Sequence, residues 1–454
     1  MRHEAKAVKR LRVSGESISV IGAGYVGLPT AVGLASLGYK VVCADNNKDK
    51  VFDLRKGHID IREEHLEILV SSALSDGSLT FVDSASEAVL NASIVFICVP
   101  TPPRSDGAAD FSAVMEVAKD IGPSLCRDAI VVTRSTVPVG TSELLSEIVD
   151  RPDIHFVSNP EFLREGSAVR DFFEPDRVLI GALNDDVAKR MTDLYSSLEC
   201  PIVVTDPRTA ELTKYASNAF LATRLSFVNS MARLCDSLGA DVHQLMKVLG
   251  MDPRIGSQFL KAGPGWGGSC LPKDTRALAS FARSIGEPLH QLESTIRVND
   301  DQIEYVVDRI QELVEGHLTG KTIAVWGLTF KANTNDLRDS PSLAVVRKVL
   351  ARGAHIVAHD PVVSATSVEH LGVSYAGTAL DACVGASVLV ILTDWPEFEN
   401  VDPIAVASLM TAPVVLDTRN VLPAAGWRDA GISIQVLGAG SRSVARSNPK
   451  ASAA

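Results

Sequence analysis

The chain has 454 residues, a hydrophobic share of 46% and a formal net charge of −11, enough for roughly three domains with ordinary cores. The acidic balance argues against nucleic-acid or anionic-membrane binding, so an anionic ligand must be met by a few local Lys and Arg side chains. No apolar run approaches a membrane span and no charged-then-apolar leader opens the chain, so a cytoplasmic protein is expected.

Residues 1–16 begin MRHEAKAVKRLR, a basic polar stretch expected to be a disordered arm. From Ile18, short β-branched runs alternate with helical segments: ISVIGAG, KVVCAD, ASIVFICVPTP, AIVVTRSTVP, IHFVSNPEF and DRVLIGA. Such alternation is the signature of a parallel sheet wound by helices, and it places a first Rossmann domain at residues 17–207. ELTKYASNAFLATRLSFVNSMARLCDSLG then shows helical spacing without Gly or Pro until Gly239, and Asp206-Pro207-Arg208-Thr209 before it is a helix start signal. This long helix opens a central helical domain at 208–318 and is expected to serve as a spine or a homodimer surface. A second α/β run follows in KTIAVWGLTF, GAHIVAHDP, ASVLVILTDW and APVVLDTRN, giving a second Rossmann-like domain at 319–438. The tail 439–454 is poor in large apolar residues and expected to be disordered. The fold class is therefore α/β, two doubly wound Rossmann-like domains joined by a central helical domain with a long connecting helix.

VIGAGYVG supplies Gly22, Gly24 and Gly27 in GxGxxG spacing after a strand and before a helix, and the next strand ends in Asp45. Gly22 permits the tight turn, Gly24 lets backbone approach a pyrophosphate, and Gly27 lets helix and strand pack closely. The helix N-terminus supplies the positive end that phosphates need. Asp45 would accept bonds from the adenine ribose hydroxyls and repel a 2′-phosphate, which favours NAD over NADP. Tyr-x-x-x-Lys, the catalytic pattern of short-chain dehydrogenases and epimerases, follows none of the six tyrosines.

The seven cysteines, Cys43, Cys98, Cys126, Cys200, Cys235, Cys270 and Cys383, contain no CxxC pair. They read as reduced thiols, mostly small core residues, with no metal-site spacing. Cys270 is different, because it lies in GPGWGGSCLPKD, residues 263–274. Glycine density there suggests a flexible turn, and Pro272 suggests a helix start that would favour the thiolate. Beside NAD, a thiolate has a definite use. It makes an aldehyde carbon tetrahedral so that a second hydride can leave, giving a thioester that water hydrolyses. Lys273 and Asp274 follow within one turn and could tune charge or hold water.

Taken together, VIGAGYVGLP, CVPTPP, STVPVGTS, NPEFLREGSAVRDFFEPDRVLIG, ELTKYASNAF, FLKAGPGWGGSCLPKD and GLTFKANTNDLRDSP resemble the UDP-glucose/GDP-mannose dehydrogenase family over residues 17 to 425. The resemblance implies Cys270 as nucleophile, Lys214 and Asn218 as stabilisers of the reacting oxygen, and Asp274 in the water or proton network. It also implies Glu161 as the base for thioester hydrolysis and Thr136 beside a catalytic water and the nicotinamide. Val26, Lys50, Glu165, Lys273 and Arg338 would join the glycine turn and Asp45 around NAD. The nucleotide sugar would meet Phe162, Leu163, Arg164 and Glu165, the loop Phe259, Leu260, Lys261, Ala262, Gly263 and Gly267, and Lys331 and Arg419. Ser269 before Cys270 and Lys273 after it resemble members acting on UDP-glucose, the sugar adopted here. GDP-mannose dehydrogenases share GGSCLPKD, so that sugar stays open as the alternative. A one-step β-hydroxyacid dehydrogenase would lack the second α/β unit and the thiol loop, and a non-catalytic binder would not need Cys270 with Lys214 and Glu161. The segment KGHIDIREEHLEIL departs from the family pattern.

Overall fold

A computed structural model describes residues 16–440; the expected arm up to residue 15 and the expected tail from 441 lie outside the described residues. The chain divides into two compact units, one of residues up to Ser217 with Arg276–Ile285, the other of Asn218–Thr275 with residues from Gly286 onward.

The first unit is built on eight strands: β1 (Ser17–Ile21), β2 (Lys40–Ala44), β3 (Leu79–Val82), β4 (Ile94–Ile97), β5 (Ile130–Thr133), β6 (His155–Ser158), β7 (Val178–Gly181) and β8 (Ile202–Thr205). Their order is β3-β2-β1-β4-β5-β6-β7-β8. The doubly wound parallel pattern holds from β3 to β6. β7 then joins β6 antiparallel, through Ser158 opposite Gly181, and β8 runs parallel to β7. Side chains alternate between two apolar layers: Ile18 and Val20 face one, with Leu28 and Phe172, while Ile21, Val95 and Ile97 face the other, with Val114 and Leu145. Burial on both faces explains the continuously apolar runs of the central strands β4 and β5. Ile21 pairs with Ala44 and Ile97, Ile97 with Thr133, and Thr133 with Ser158. Gly22, Asp45, Cys98, Arg134 and Asn159 therefore leave the sheet one residue past its carboxyl edge, where open α/β sheets bind ligands.

The second unit repeats the plan with β9 (Thr322–Trp326), β10 (His355–His359), β11 (Ser374–Tyr375), β12 (Val388–Ile391), β13 (Val414–Asp417) and β14 (Ser433–Val436), in the order β11-β10-β9-β12-β13-β14. Every pairing in it is parallel. One face packs Val306, Val346 and Leu343, and the other packs Trp326, Trp395 and Trp427.

The long helix runs Pro207–Leu238, 32 residues. Pro207 sits at its first turn, where a missing N–H costs nothing. Asp206 caps it, accepting from Thr209 N at 2.9 Å and Thr209 Oγ1 at 2.6 Å, and Gly239 at φ 71° ends it.

Candidate active site

In the first unit the glycine turn has the geometry its spacing implies. Gly22 adopts φ 100°, and a Cβ on it would lie 2.6 Å from the Cys98 carbonyl oxygen. A Cβ on Gly27 would sit 1.7 Å from the Gly22 oxygen, so helix Gly27–Ser36 can approach β1 only as glycine. Gly24 has nothing within 4 Å of its Cβ position, an open approach to backbone at the helix start, where Val26 is the cap residue. Asp45 Oδ2 accepts from Ala23 N at 2.9 Å and Oδ1 from Asn47 N at 3.0 Å. Each carboxylate oxygen keeps a lone pair for a ribose hydroxyl, so the residues present fit a dinucleotide. Lys50 lies on the following helix, its ammonium 3.7 Å from Asp60.

The loop after β5 carries Thr136, 9% exposed. Ser135 Oγ donates to the Val99 carbonyl at 2.7 Å. Glu211, on the long helix, accepts from Gly140 N at 2.7 Å, Ser142 N at 3.0 Å and Ser142 Oγ at 2.9 Å. This carboxylate caps helix Thr141–Val149 and fixes the loop.

Beyond β6, Lys214 Nζ donates to Glu161 Oε1 at 2.8 Å and to the Glu161 carbonyl at 2.7 Å, with side chains only 5% and 6% exposed. Burial alone would raise the Glu161 carboxyl, but the Lys214 ammonium and its hydrogen bond, Arg134 and the Leu163 N–H hold it below the usual carboxylate range. Phe162 lies against two cations, with Arg177 3.7 Å and Lys214 5.4 Å from the ring centroid. Arg164 pairs with Asp171, both through its side chain and through its backbone N–H at 2.8 Å. Glu63 secures the following residues, accepting from Gly166 N at 2.5 Å and Ala168 N at 2.8 Å. Glu63 belongs to the segment KGHIDIREEHLEIL.

In the second unit the glycine-rich turn is clamped rather than flexible. Gly263 N donates to Asn229 Oδ1 at 2.9 Å, and Gln302 Nε2 donates to the Gly263 carbonyl at 2.9 Å. Asn299 makes a reciprocal pair with Trp266, accepting from its N–H at 2.8 Å and donating to its carbonyl at 3.0 Å. Trp266 Nε1 donates to Ser226 Oγ at 2.9 Å. A Cβ on Gly267 would stand 2.0 Å from the Asp339 oxygen, so glycine is there for close approach of backbone. Phe259, at φ 57°, begins this segment in a conformation that aromatic residues rarely take.

The thiol helix is Leu271–Ser284, starting one residue before Pro272, and Cys270 occupies its cap position, the Cys270 carbonyl accepting from Asp274 N at 3.0 Å. Asp274, 1% exposed, accepts from Asn218 Nδ2 and from Lys273 Nζ, both at 2.6 Å. Arg419 emerges after β13, its Nε donating to the Leu392 carbonyl at 2.9 Å, and its guanidinium lies 2.9 Å from where a Gly263 Cβ would be. Lys331 sits 5.5 Å from the Phe330 ring centroid, and that ring packs where a Gly268 Cβ would go.

The structure thus joins Lys214 to Glu161 and Phe162 in one unit, and Asn218 to Asp274, Lys273 and the Cys270 turn in the other. Lys214 and Asn218, one helical turn apart, each donate to a carboxylate. Arg338 turns to its near neighbour Asp336, with Nε at 2.9 Å and Nη2 at 2.7 Å from that carboxylate. Sequence reasoning missed Glu63, Arg134, Asn229, Asn299 and Gln302, single polar residues whose only signal is burial. None of the seven cysteines is in a disulfide among the described residues; burial pushes Cys98 and Cys383 up to about 12.

Three domains of one family match the chain in order: the NAD binding domain over residues 16–199, the central domain over 208–301 and the UDP binding domain over 324–424. The chain is 42% identical over 412 residues to UDP-glucose 6-dehydrogenase YwqF of Bacillus subtilis (strain 168), covering 89% of this chain and 93% of that one. It is 43% identical over 415 residues to a UDP-glucose 6-dehydrogenase of Rhizobium meliloti (strain 1021), covering 89% and 95%. Among solved structures, a UDP-glucose dehydrogenase from the hyperthermophilic archaeon Pyrobaculum islandicum superposes with a TM-score of 0.86 at 39% identity, covering 94% of this chain and 97% of that one. The glycine turn is part of an NAD binding domain, and the chain belongs to the UDP-glucose/GDP-mannose dehydrogenase family.

Proposed function

We propose that this protein oxidises UDP-glucose to UDP-glucuronate in two steps, with Cys270 as the covalent nucleophile and two NADH formed per sugar. The observation that carries the reading is the placement of Cys270, a lone thiol at a helix N-terminus on a rigid glycine turn, in a chain with an NAD binding domain. Relatives named for UDP-glucose, at 42% and 43% identity, support that sugar.

Bound NAD supplies the hydride acceptor for both oxidations. The first removes a hydride from C6 and passes the hydroxyl proton to the water and proton network, leaving an aldehyde. Cys270 Sγ then adds to the aldehyde carbon, and the oxygen that becomes anionic is stabilised by Lys214 and Asn218 before it takes a proton. Loss of the second hydride, together with the hydroxyl proton to the water and proton network, leaves a thioester on Cys270. Glu161 takes a proton from the attacking water, the C–S bond breaks, and carboxylate and thiol are released. Thr136 and Asp274 hold the water and proton network. Arg419, Lys331 and the loop Phe259–Gly263 meet the nucleotide sugar, while Asp45, Lys50, Glu165, Lys273 and Arg338 face the cofactor. The working protein is a cytoplasmic homodimer of three-domain chains with boundaries near 207 and 318.

Counting NADH per UDP-glucose, with GDP-mannose and N-acetylated UDP-sugars in parallel, tests this. Two equivalents with UDP-glucose are expected. Cys270→Ser should bind sugar and NAD yet lose turnover, since a serine hydroxyl is hardly ionised near neutral pH. Near-normal two-NADH turnover in that variant would overturn the mechanism.

A further inference from the structure

Arg134 is a buried cation, 7% exposed, that the steps above do not use. Its hydrogen-bond partners are neutral. Nε donates to Thr30 Oγ1 at 3.0 Å and Nη1 to Asn159 Oδ1 at 2.8 Å. Asn159 Oδ1 also accepts from Tyr195 OH at 2.7 Å, and Asn159 Nδ2 donates to the Leu179 carbonyl at 2.7 Å, so the amide is fixed on both sides. A guanidinium desolvated among neutral groups is costly and needs a compensating negative charge nearby. Arg134 and Glu161 line the same recess of the first unit, with Phe162 and Tyr195. Asp171, also in that recess, is already paired with Arg164. The buried set Arg134, Lys214 and Glu161 thus holds two cations and one anion.

We propose that Arg134 is a positioning residue for the dehydrogenase reaction, acting through Glu161. By sharing the Glu161 charge it leaves the Lys214 ammonium available to a developing oxyanion, and by bonding Thr30 it ties the helix of the glycine turn to the Glu161 segment. The proposal rests on the mechanism above. One cation alone would form a closed pair with Glu161, whereas two leave an excess positive charge. That excess is what stabilisation of an oxyanion requires.

The test is the pH dependence of kcat for UDP-glucose oxidation in wild type, Arg134→Gln, Arg134→Lys and Thr30→Val. Lys214 on the long helix faces Glu161, as does Arg134 after β5. Arg164, Asp171, Glu174, Asp176, Arg177 and Tyr195 line the same recess, and Cys98 follows β4. Wild type should keep its kcat down to about pH 5, since Glu161 stays ionised below the ordinary carboxylate range. Arg134→Gln should bring an acid limb up by about one pH unit and lower kcat roughly tenfold, with KM for NAD within about twofold. Arg134→Lys should restore the wild-type profile. Thr30→Val, which removes a bond and keeps the charge, should lower Tm without moving the limb. An unmoved limb in folded Arg134→Gln, or an equal shift in Thr30→Val, overturns the proposal. If Arg134→Gln does not fold, Arg134→Lys decides alone, because a limb displaced by about a unit with the charge retained overturns it. Glu161→Gln separates the parent reading: turnover unimpaired by that change overturns Glu161 as the base, whatever Arg134 does.

Discussion

Lys214 and Glu161 show how a site residue can also be a structural one. Their side chains are 5% and 6% exposed and 2.8 Å apart, so removing Lys214 leaves Glu161 buried with only Arg134 and the Leu163 N–H to offset its charge. Lys214→Met should cost about 3–5 kcal/mol for that reason. The sign with pH follows from the depressed Glu161 carboxyl. A depressed carboxyl contributes stability that is present above its unfolded pKa and lost as pH falls through the folded one. In Lys214→Met burial acts without its main offset, so ionised Glu161 becomes a liability. Thermal melts should show the gap between wild type and variant wide at about pH 8 and narrow near pH 4. Equal gaps would show that Glu161 is not the group responsible. Asp45 gives a second residue-level expectation. Its carboxylate, held by Ala23 and Asn47 N–H groups, should impose a strong preference for NAD over NADP. Asp45→Ala should narrow the ratio of the two kcat/KM values, and a wild type using both equally would remove Asp45 from the ribose.

At the scale of elements, the thiol turn shows what glycine content does and does not reveal. Counting Gly and Pro in GPGWGGSC suggests mobility, yet Asn229, Asn299, Gln302 and Ser226 bind the segment at four points. Those four stand as the i,i+3 pairs Ser226/Asn229 and Asn299/Gln302 on two helices, 33 to 40 positions from the residues they hold, so no local pattern ties them to the turn. By contrast the glycine turn after β1 was fully legible, because strand, turn, helix and strand-end carboxylate fall within one short stretch. The long β-branched runs were legible as strands for the same reason. β3, β8, β11 and β14 and the reversal at β7 were not, since runs of two to four residues and chain direction leave no periodic signal. The clamp makes a direct prediction. Asn299→Ala would strip both the N–H and the carbonyl of Trp266 of their partner, costing about 1–3 kcal/mol. Cys270 should then be alkylated by iodoacetamide at an altered rate, and an unchanged rate would show that the clamp does not set the thiol. Gly267→Ala should be worse, because its methyl would meet backbone that cannot yield.

At the scale of the whole molecule, the long helix carries more apolar surface than its own chain covers. Phe220, Phe227 and Leu234 recur every seven residues and are 64%, 50% and 48% exposed, and Leu238 after them is 68% exposed. Seven residues are close to two helical turns, so the first three lie along one stripe, spanning about 20 Å at 1.5 Å per residue. Large exposed apolar stripes of this kind mark contact surfaces, and in the homodimer proposed above a second copy of the same helix would meet this stripe about a two-fold axis. Light scattering at micromolar concentration should therefore give a mass of roughly twice the 48.4 kDa chain or more. Phe227→Glu should shift the protein toward monomer, because each copy would place a charge on the shared seam, where like charges face one another and desolvation is unfavourable. A fully exposed stripe would tolerate that change with little effect on Tm or mass. A wild type that scatters as a monomer, or a Phe227→Glu variant that keeps the wild-type mass, would show that this stripe is not where two chains meet.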